Sequence, residues 1–127
     1  MSEHPNVAIV RKLTEAFETG DPAVIARVGD ELTADDVVWH EIGRKEPRRG
    51  KAELRAGMAD IDYTITATTH DILANDDHAI LLADAKATRG GRTLDYHVAE
   101  VYHIRDGRIT ERWATSDDTE AIASFFA

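Results

Sequence analysis

Two adjacent ionisable residues, His40 and Glu41, follow the apolar run Val37-Val38-Trp39 in the segment ADDVVWHEIGRKEPRRG, residues 34–50. Side chains alternate across a strand, so Trp39 and Glu41 face one way and Val38 and His40 the other. Whichever face lines a cavity then carries a base. A carboxylate or imidazole taken out of water shifts its pKa and becomes fit for proton transfer. The same pair at a wet strand end would be inert, and this segment alone leaves both readings open.

The other reactive side chains divide by strand facing. In the run from Tyr96 to Ile104, Tyr96, Val98, Glu100, Tyr102 and Ile104 share one face, and His97, Ala99, Val101 and His103 the other. Both faces are partly apolar, as expected of a sheet with a pocket on one side and a subunit interface on the other. His97 and His103 are six residues apart, nearly 20 Å along a strand at about 3.3 Å per residue, so they cannot share an ion. With no cysteine and no HxxxH helix, no metal site is expected. Asp84 and Lys86 share a face of an otherwise apolar strand, and mutual pairing is the cheaper way to bury either.

A net charge of −9 over 127 residues argues against nucleic-acid binding, which depends on neutralising phosphates. The one basic cluster, Arg44, Lys45, Arg48, Arg49 and Lys51, is interrupted by Glu46 and reads as an ion-paired loop. Its alternative is a rim that attracts an anionic substrate. The absence of cysteine suits a reducing cytosol. The first ten residues lack a signal-peptide pattern, and no apolar run approaches the roughly 18–20 residues that span a bilayer. A cytoplasmic protein with no membrane or nucleic-acid partner is expected.

The elements that must position these residues fall into two halves. Val7, Val10, Leu13 and Phe17 recur at helical spacing, so residues 6–19 form an amphipathic helix that Gly20 ends. Asp21 and Pro22 read as N-cap and first residue of a second helix running to about Val28. A strand Val37–Ile42 follows. Gly50 then precedes a third helix with Leu54, Met58 and Ile61 on one side. From Tyr63 the composition turns to Val, Ile, Thr and Tyr. Strands are expected at Thr64–Ala74, Ala79–Thr88, Thr93–Ile104 and Arg108–Thr115, joined by short polar turns. A short helix from about Ser116 carries Ile122, Phe125 and Phe126. The order implies a single α+β domain over residues 1–127. Three helices from the N-terminal half would pack over the concave face of a curved, cone-shaped antiparallel sheet. The inside of such a cone suits a small molecule.

The element order, together with ETGDPAVIARV, VVWHEIG, GKAEL and VYHIRDGRITERW, resembles the nuclear transport factor 2-like (cystatin-like) superfamily, in its SnoaL-like and ketosteroid-isomerase-like branches. The resemblance covers about Asn6 to Phe126. It implies cofactor-free general acid/base chemistry on a hydrophobic or polycyclic substrate, of isomerase or cyclase type, and a homodimer formed sheet to sheet. The alternative is a non-catalytic binding or dimerisation module of the same fold. In the isomerase register the general base falls on Glu41. The second acid, which stays protonated and donates to the oxyanion, falls on Glu100. The isomerase's tyrosine donor is replaced by Leu13, a loss typically worth roughly a hundred- to a thousandfold in rate. His40 is the alternative base if the strand faces the other way. The cyclases place an acid after the last strand, matching Asp117 or Asp118. Asp117 with Glu120 equally fits a helix capping box. The Arg-x-Asp element of the epoxide-hydrolase branch finds no match. Trp39, Trp113, Tyr102, Leu13, Phe17 and Met58 are expected to line the substrate pocket.

Overall fold

The computed structural model describes residues 3–59 and 61–127. Helix α1 spans Pro5–Glu18, α2 Pro22–Leu32, α3 Gly50–Ala59 and α4 Thr119–Phe126. Strands β1 (Thr33–His40), β2 (Arg48–Arg49), β3 (Thr64–Ala74), β4 (His78–Arg89), β5 (Arg92–Arg105) and β6 (Arg108–Thr115) form one sheet. Its spatial order is β2-β1-β6-β5-β4-β3. All neighbours are antiparallel except β1 and β6, which run parallel. Mixed α and β elements around one curved sheet match the expected class.

Local chemistry explains the ends of the elements. His4 Nδ1 accepts from the Asn6 amide and Pro5 opens α1, while Asp21 accepts from the Ala23 amide and Pro22 opens α2. Asn6 is buried, and its Nδ2 donates to the carbonyls of Asn75 (2.9 Å) and Asp76 (3.1 Å), tying the start of α1 to the β3–β4 turn. Asp106 (φ 52°) and Gly107 (φ 77°) are both left-handed, as the tight β5–β6 hairpin demands.

Several element boundaries differ from expectation. Helix α2 runs on to Leu32 because Val28 and Leu32, one turn apart, are both buried. Strand β1 begins at Thr33, whose hydroxyl donates to the Gly29 carbonyl, and ends at His40, so Glu41 lies just beyond it. The two-residue β2 was not foreseen; it exists only through pairing with Val38 and Trp39. At the last helix Asp118, not Asp117, is the N-cap, accepting from the Ala121 amide at 3.1 Å.

The core fills the concave side. Val7, Val10 and Leu13 of α1 and Val28 and Leu32 of α2 pack on Leu81, Ala83, Tyr102, Ile104 and Ile109. Ala79, Ala83, Ala85 and Ala87 of β4 all face this way and are buried; such small side chains let helices approach closely. Helix α4 packs separately, through Ile122 and Phe125, with Phe126 edge-on to Tyr63 at 4.7 Å. Gly43 (φ 77°) accommodates it, since a Cβ there would lie 2.8 Å from the Cβ of Ala123.

Candidate active site on the concave face of the sheet

Register places one row of residues across the concave face: Arg48 beside Trp39, Trp39 beside Arg112, Arg112 beside Tyr102, Tyr102 beside Ala79. Two arginines therefore flank one indole, and each holds a glutamate. Arg48 Nε donates to Glu41 Oε1 at 2.7 Å. Arg112 Nε donates to Glu100 Oε1 at 3.0 Å, and its Nη2 donates to the same oxygen. The Arg112 and Glu100 side chains are only 14% and 15% exposed, whereas Arg48 and Glu41 are 21% and 40% exposed. The Arg112 guanidinium also lies over the Trp39 ring at 4.6 Å and donates from Nη1 to the His40 carbonyl at 3.2 Å. Tyr102, 2% exposed, donates its hydroxyl to Glu100 Oε1 at 3.3 Å.

Two further tyrosines border this cluster. Burial first, then the charge of Glu100, pushes the Tyr96 phenol up to about 12. Burial first, then Glu41, raises Tyr63. Both are neutral hydrogen-bond donors near pH 7. The polar line thus runs from Glu41 past Tyr63 and Tyr96 to Glu100.

Burial varies along the concave face. Helix α1, 14 residues, is about 21 Å long, and β3, 11 residues, about 36 Å. With its start tied to the far end of β3, α1 leaves the first half of that strand uncovered. The consequence is visible in burial: Ile72, on the concave face, is 8% exposed, whereas Ile65, on the same face, is 45% exposed. Phe17 (47%), Met58 (41%) and Ile61 (41%) are exposed on the flanking segments. Exposed apolar side chains are therefore concentrated beyond the end of α1, towards Tyr63.

The expected site residues are distributed as follows. Trp39 shares a face with Glu41 and Glu100 with Tyr102, as alternation implied, and the register brings both pairs to the concave side. Glu100, however, is engaged by Arg112 instead of standing free as the resemblance suggested. Leu13, 2% exposed, and Tyr102 are core. Phe17 and Met58 are exposed. His40 and Trp113 are on the other face, which corrects the expectation that Trp113 walls the cone. The His40 and Trp113 rings stack there at 5.3 Å, and His40 Nε2 meets Glu111 Oε2 at 2.7 Å. Asp117 also lies outside the cone, exposed, near His97.

A single extra residue decides these positions. Ile104 pairs with Ile109, and a regular ladder from there would set Glu100 opposite Trp113. The register shifts by one between His103 and Ile104, so Glu100 faces Ala114 and Tyr102 faces Arg112. The bulge, at Thr110, turns Trp113 outward and Arg112 inward. Arg112, Arg48, Tyr63 and Tyr96 were not singled out from the sequence as site residues. The available signal was Arg112 itself, a guanidinium in the middle of a strand that must find a partner if buried.

The convex face holds a second polar group. Asp84, rather than pairing with Lys86, meets His70 Nε2 at 2.7 Å and also His97 Nδ1. It borders a groove of about 680 Å³ that also touches Lys86, Asp95 and Asp117. Among the described residues no group of His, Cys, Asp and Glu side chains is arranged to hold a metal ion, and no helix is long and apolar enough to cross a membrane.

Comparison with known proteins agrees with this architecture. An uncharacterised protein of Mycobacterium tuberculosis is 30% identical over the full length of both chains. The crystal structure of IdmH, a candidate polyketide cyclase from Streptomyces antibioticus, superposes with a TM-score of 0.70 at 25% identity, covering 98% of this chain and 100% of that one. An LEH-like epoxide hydrolase from M. tuberculosis shares the fold, with a TM-score of 0.74 at 18% identity over 96% of this chain and 90% of that one. The family model for the SnoaL-like domain matches residues 10–112, and the chain belongs to that family.

Proposed function

We propose that the cone binds a hydrophobic, ketone-bearing or polycyclic small molecule and moves a proton next to its carbonyl, without a cofactor, as an isomerase or cyclase does. The observation that carries this reading is the set of exposed apolar side chains Phe17, Met58, Ile61 and Ile65, together with the ionisable groups on the concave face of the same sheet. Glu41, the more exposed of the two carboxylates, is the base. It takes the proton from the carbon beside the carbonyl; the C–H electron pair becomes the enolate double bond and the oxygen takes the negative charge. In this reading Tyr96, whose raised pKa keeps it neutral, donates to that oxygen in place of the hydroxyl missing at Leu13. Trp39 forms the floor. His40 and Asp117 point elsewhere and have no part in this chemistry. The convex face exposes Leu73, Ile80 and Leu82, which supports a homodimer formed through the sheet.

Solvent exchange tests the reading. The protein should speed deuterium uptake at the carbons beside the carbonyl of 2-tetralone in D2O, followed by NMR. Glu41→Gln should lose about two to four orders of magnitude of that acceleration. A second reading, a non-catalytic binding module, draws support from the arginine partners of both glutamates. Binding of 2-tetralone with no exchange above the buffer rate would establish it and remove the first.

A further inference from the structure

Five of the six histidines, His40, His70, His78, His97 and His103, gather on the convex side of the sheet. They border an apolar band. Leu73, Ile80, Val101 and Trp113 are successive cross-strand neighbours on β3, β4, β5 and β6, and Leu82 and Ala99 form a second row beside them. Leu73, Ile80 and Leu82 are exposed. On one margin Asp84 holds His70 and His97, and on the other Glu111 holds His40. An apolar centre between polar margins of similar makeup is self-complementary. A second copy, related by a two-fold axis along the band, lays band on band and sets each margin over the other.

His78 and His103 differ from the other three. They are directly opposite in register, their rings meet edge to face at 4.4 Å, and the His103 ring abuts Trp113 at 4.5 Å. Both are partly buried. Among the described residues neither forms an ion pair, whereas His40, His70 and His97 each do. The charged groups around them offer no ready counter-ion. Glu111, opposite His103, is taken by His40 at 2.7 Å. Arg105, two residues on, and its cross-strand partner Arg108 add positive charge to this margin. Arg49 of β2 and Asp36 of β1 neighbour Val38. Asp76 and Asp77 lie in the β3–β4 turn, where Asp76 meets His4 at 3.1 Å. Asp71, Lys86, Asp95 and Asp117 lie across the band.

We infer that the convex face is an acid-released homodimer interface, gated by the His78–His103 pair. This rests on the sheet-to-sheet homodimer proposed above. Covering the face takes both imidazoles out of water, which penalises their charged form. As neutral rings they extend the apolar band. A proton on either ring meets no free carboxylate, because Glu111 and Asp84 already hold imidazoles, and Arg105 and Arg108 oppose it. Separated monomers therefore bind more protons than the dimer, and acid shifts the equilibrium towards monomer. The first proton on the pair opposes a second on the adjacent ring, so each released subunit takes up one.

Sedimentation equilibrium of the full chain at about pH 7.5 and 5.5, either side of the imidazole range, tests this, with near-ultraviolet circular dichroism confirming the fold at both. Each proton bound on release raises the dissociation constant by up to about tenfold per pH unit, so two per dimer should weaken it about a hundredfold between these conditions. His78→Gln/His103→Gln keeps polar side chains that cannot take the charge, and its constant should change by less than about tenfold. Ile80→Asp, a fixed charge in the band, should be monomeric at both. A wild-type dimer of equal affinity at the two pH values overturns the gate and leaves the homodimer standing. A pH dependence that survives in the double glutamine variant overturns the assignment to His78 and His103. A monomeric wild type at the higher pH, or a dimer that Ile80→Asp does not weaken, removes the sheet interface and the gate with it.

Discussion

Removing Arg112 alone is the sharpest structural perturbation available. In Arg112→Met the Glu100 carboxylate, 15% exposed, loses its only cation among its described contacts, the His40 carbonyl loses a donor and Trp39 loses the guanidinium above it. Breaking a buried pair from one side costs about 3–5 kcal/mol, because the remaining charge stays desolvated. Unfolding entropy of about 2.1 cal/mol/K per residue gives about 0.27 kcal/mol/K for 127 residues. The single variant should therefore melt about 11–19 °C below the wild type, out of a total stability of about 5–15 kcal/mol. The double variant Arg112→Met/Glu100→Met carries no stranded charge and should recover to within about 1–2 kcal/mol of wild type. Urea unfolding followed by circular dichroism, with thermal melts beside it, measures both. A single-variant cost below about 1 kcal/mol, or a double variant as weak as the single, would show that the pair is solvated like a surface bridge. It would then not be the desolvated pair that side-chain exposures of 14% and 15% imply.

Two further perturbations separate local from functional effects. Gly57→Ala should stabilise α3 by up to about 1 kcal/mol through helix propensity. Its Cβ would fall 2.3 Å from Arg48 Cζ, the mobile end of a long side chain, so Arg48 must leave Glu41. A raised melting temperature with altered 2-tetralone exchange is the expected pattern, and unchanged exchange would separate Arg48 from the chemistry. On the convex face, Asp84 raises the His97 imidazole above its ordinary 6.5, by hydrogen bond first and charge second, with Asp117 adding to it. His97 lowers Asp84 below its ordinary 3.8, with His70 contributing. The sign follows from linkage: the aspartate's share is present above about pH 4 and lost as pH falls through its lowered pKa, and the histidine's is full below about pH 6.5 and lost as pH rises through its raised one. The cluster should thus contribute most between about pH 4 and 6.5. NMR titration should place the His97 midpoint above that of Asp84→Asn; equal midpoints would dissolve the cluster.

Much of the architecture was legible because each element carries its own signal. The apolar period of α1, the Asp-Pro start of α2 and the Asp-Gly hairpin before β6 are local features, set by residues within a few positions of one another. Alternation likewise placed Trp39 with Glu41, and Glu100 with Tyr96 and Tyr102, before any contact was known. The family resemblance located Glu41 and Glu100 as the carboxylates of interest. Local pattern and resemblance thus reached the fold class and which site residues share a face within a single strand, while the inward facing of Glu100 rested on the family resemblance alone.

Tertiary structure alone decided what lies beside what. The parallel contact of β1 with β6 joins residues over seventy positions apart, and no local pattern encodes it. Strand β2 has too few residues to announce itself and forms only where Val38 and Trp39 offer backbone partners. Above all, the extra residue at Thr110 exchanges the faces of Arg112 and Trp113. A bulge costs little locally and is set by packing around it, yet it inverts every later side chain of the strand. It replaces an aromatic wall with a guanidinium next to Glu100 and so changes the chemistry that the cone can offer.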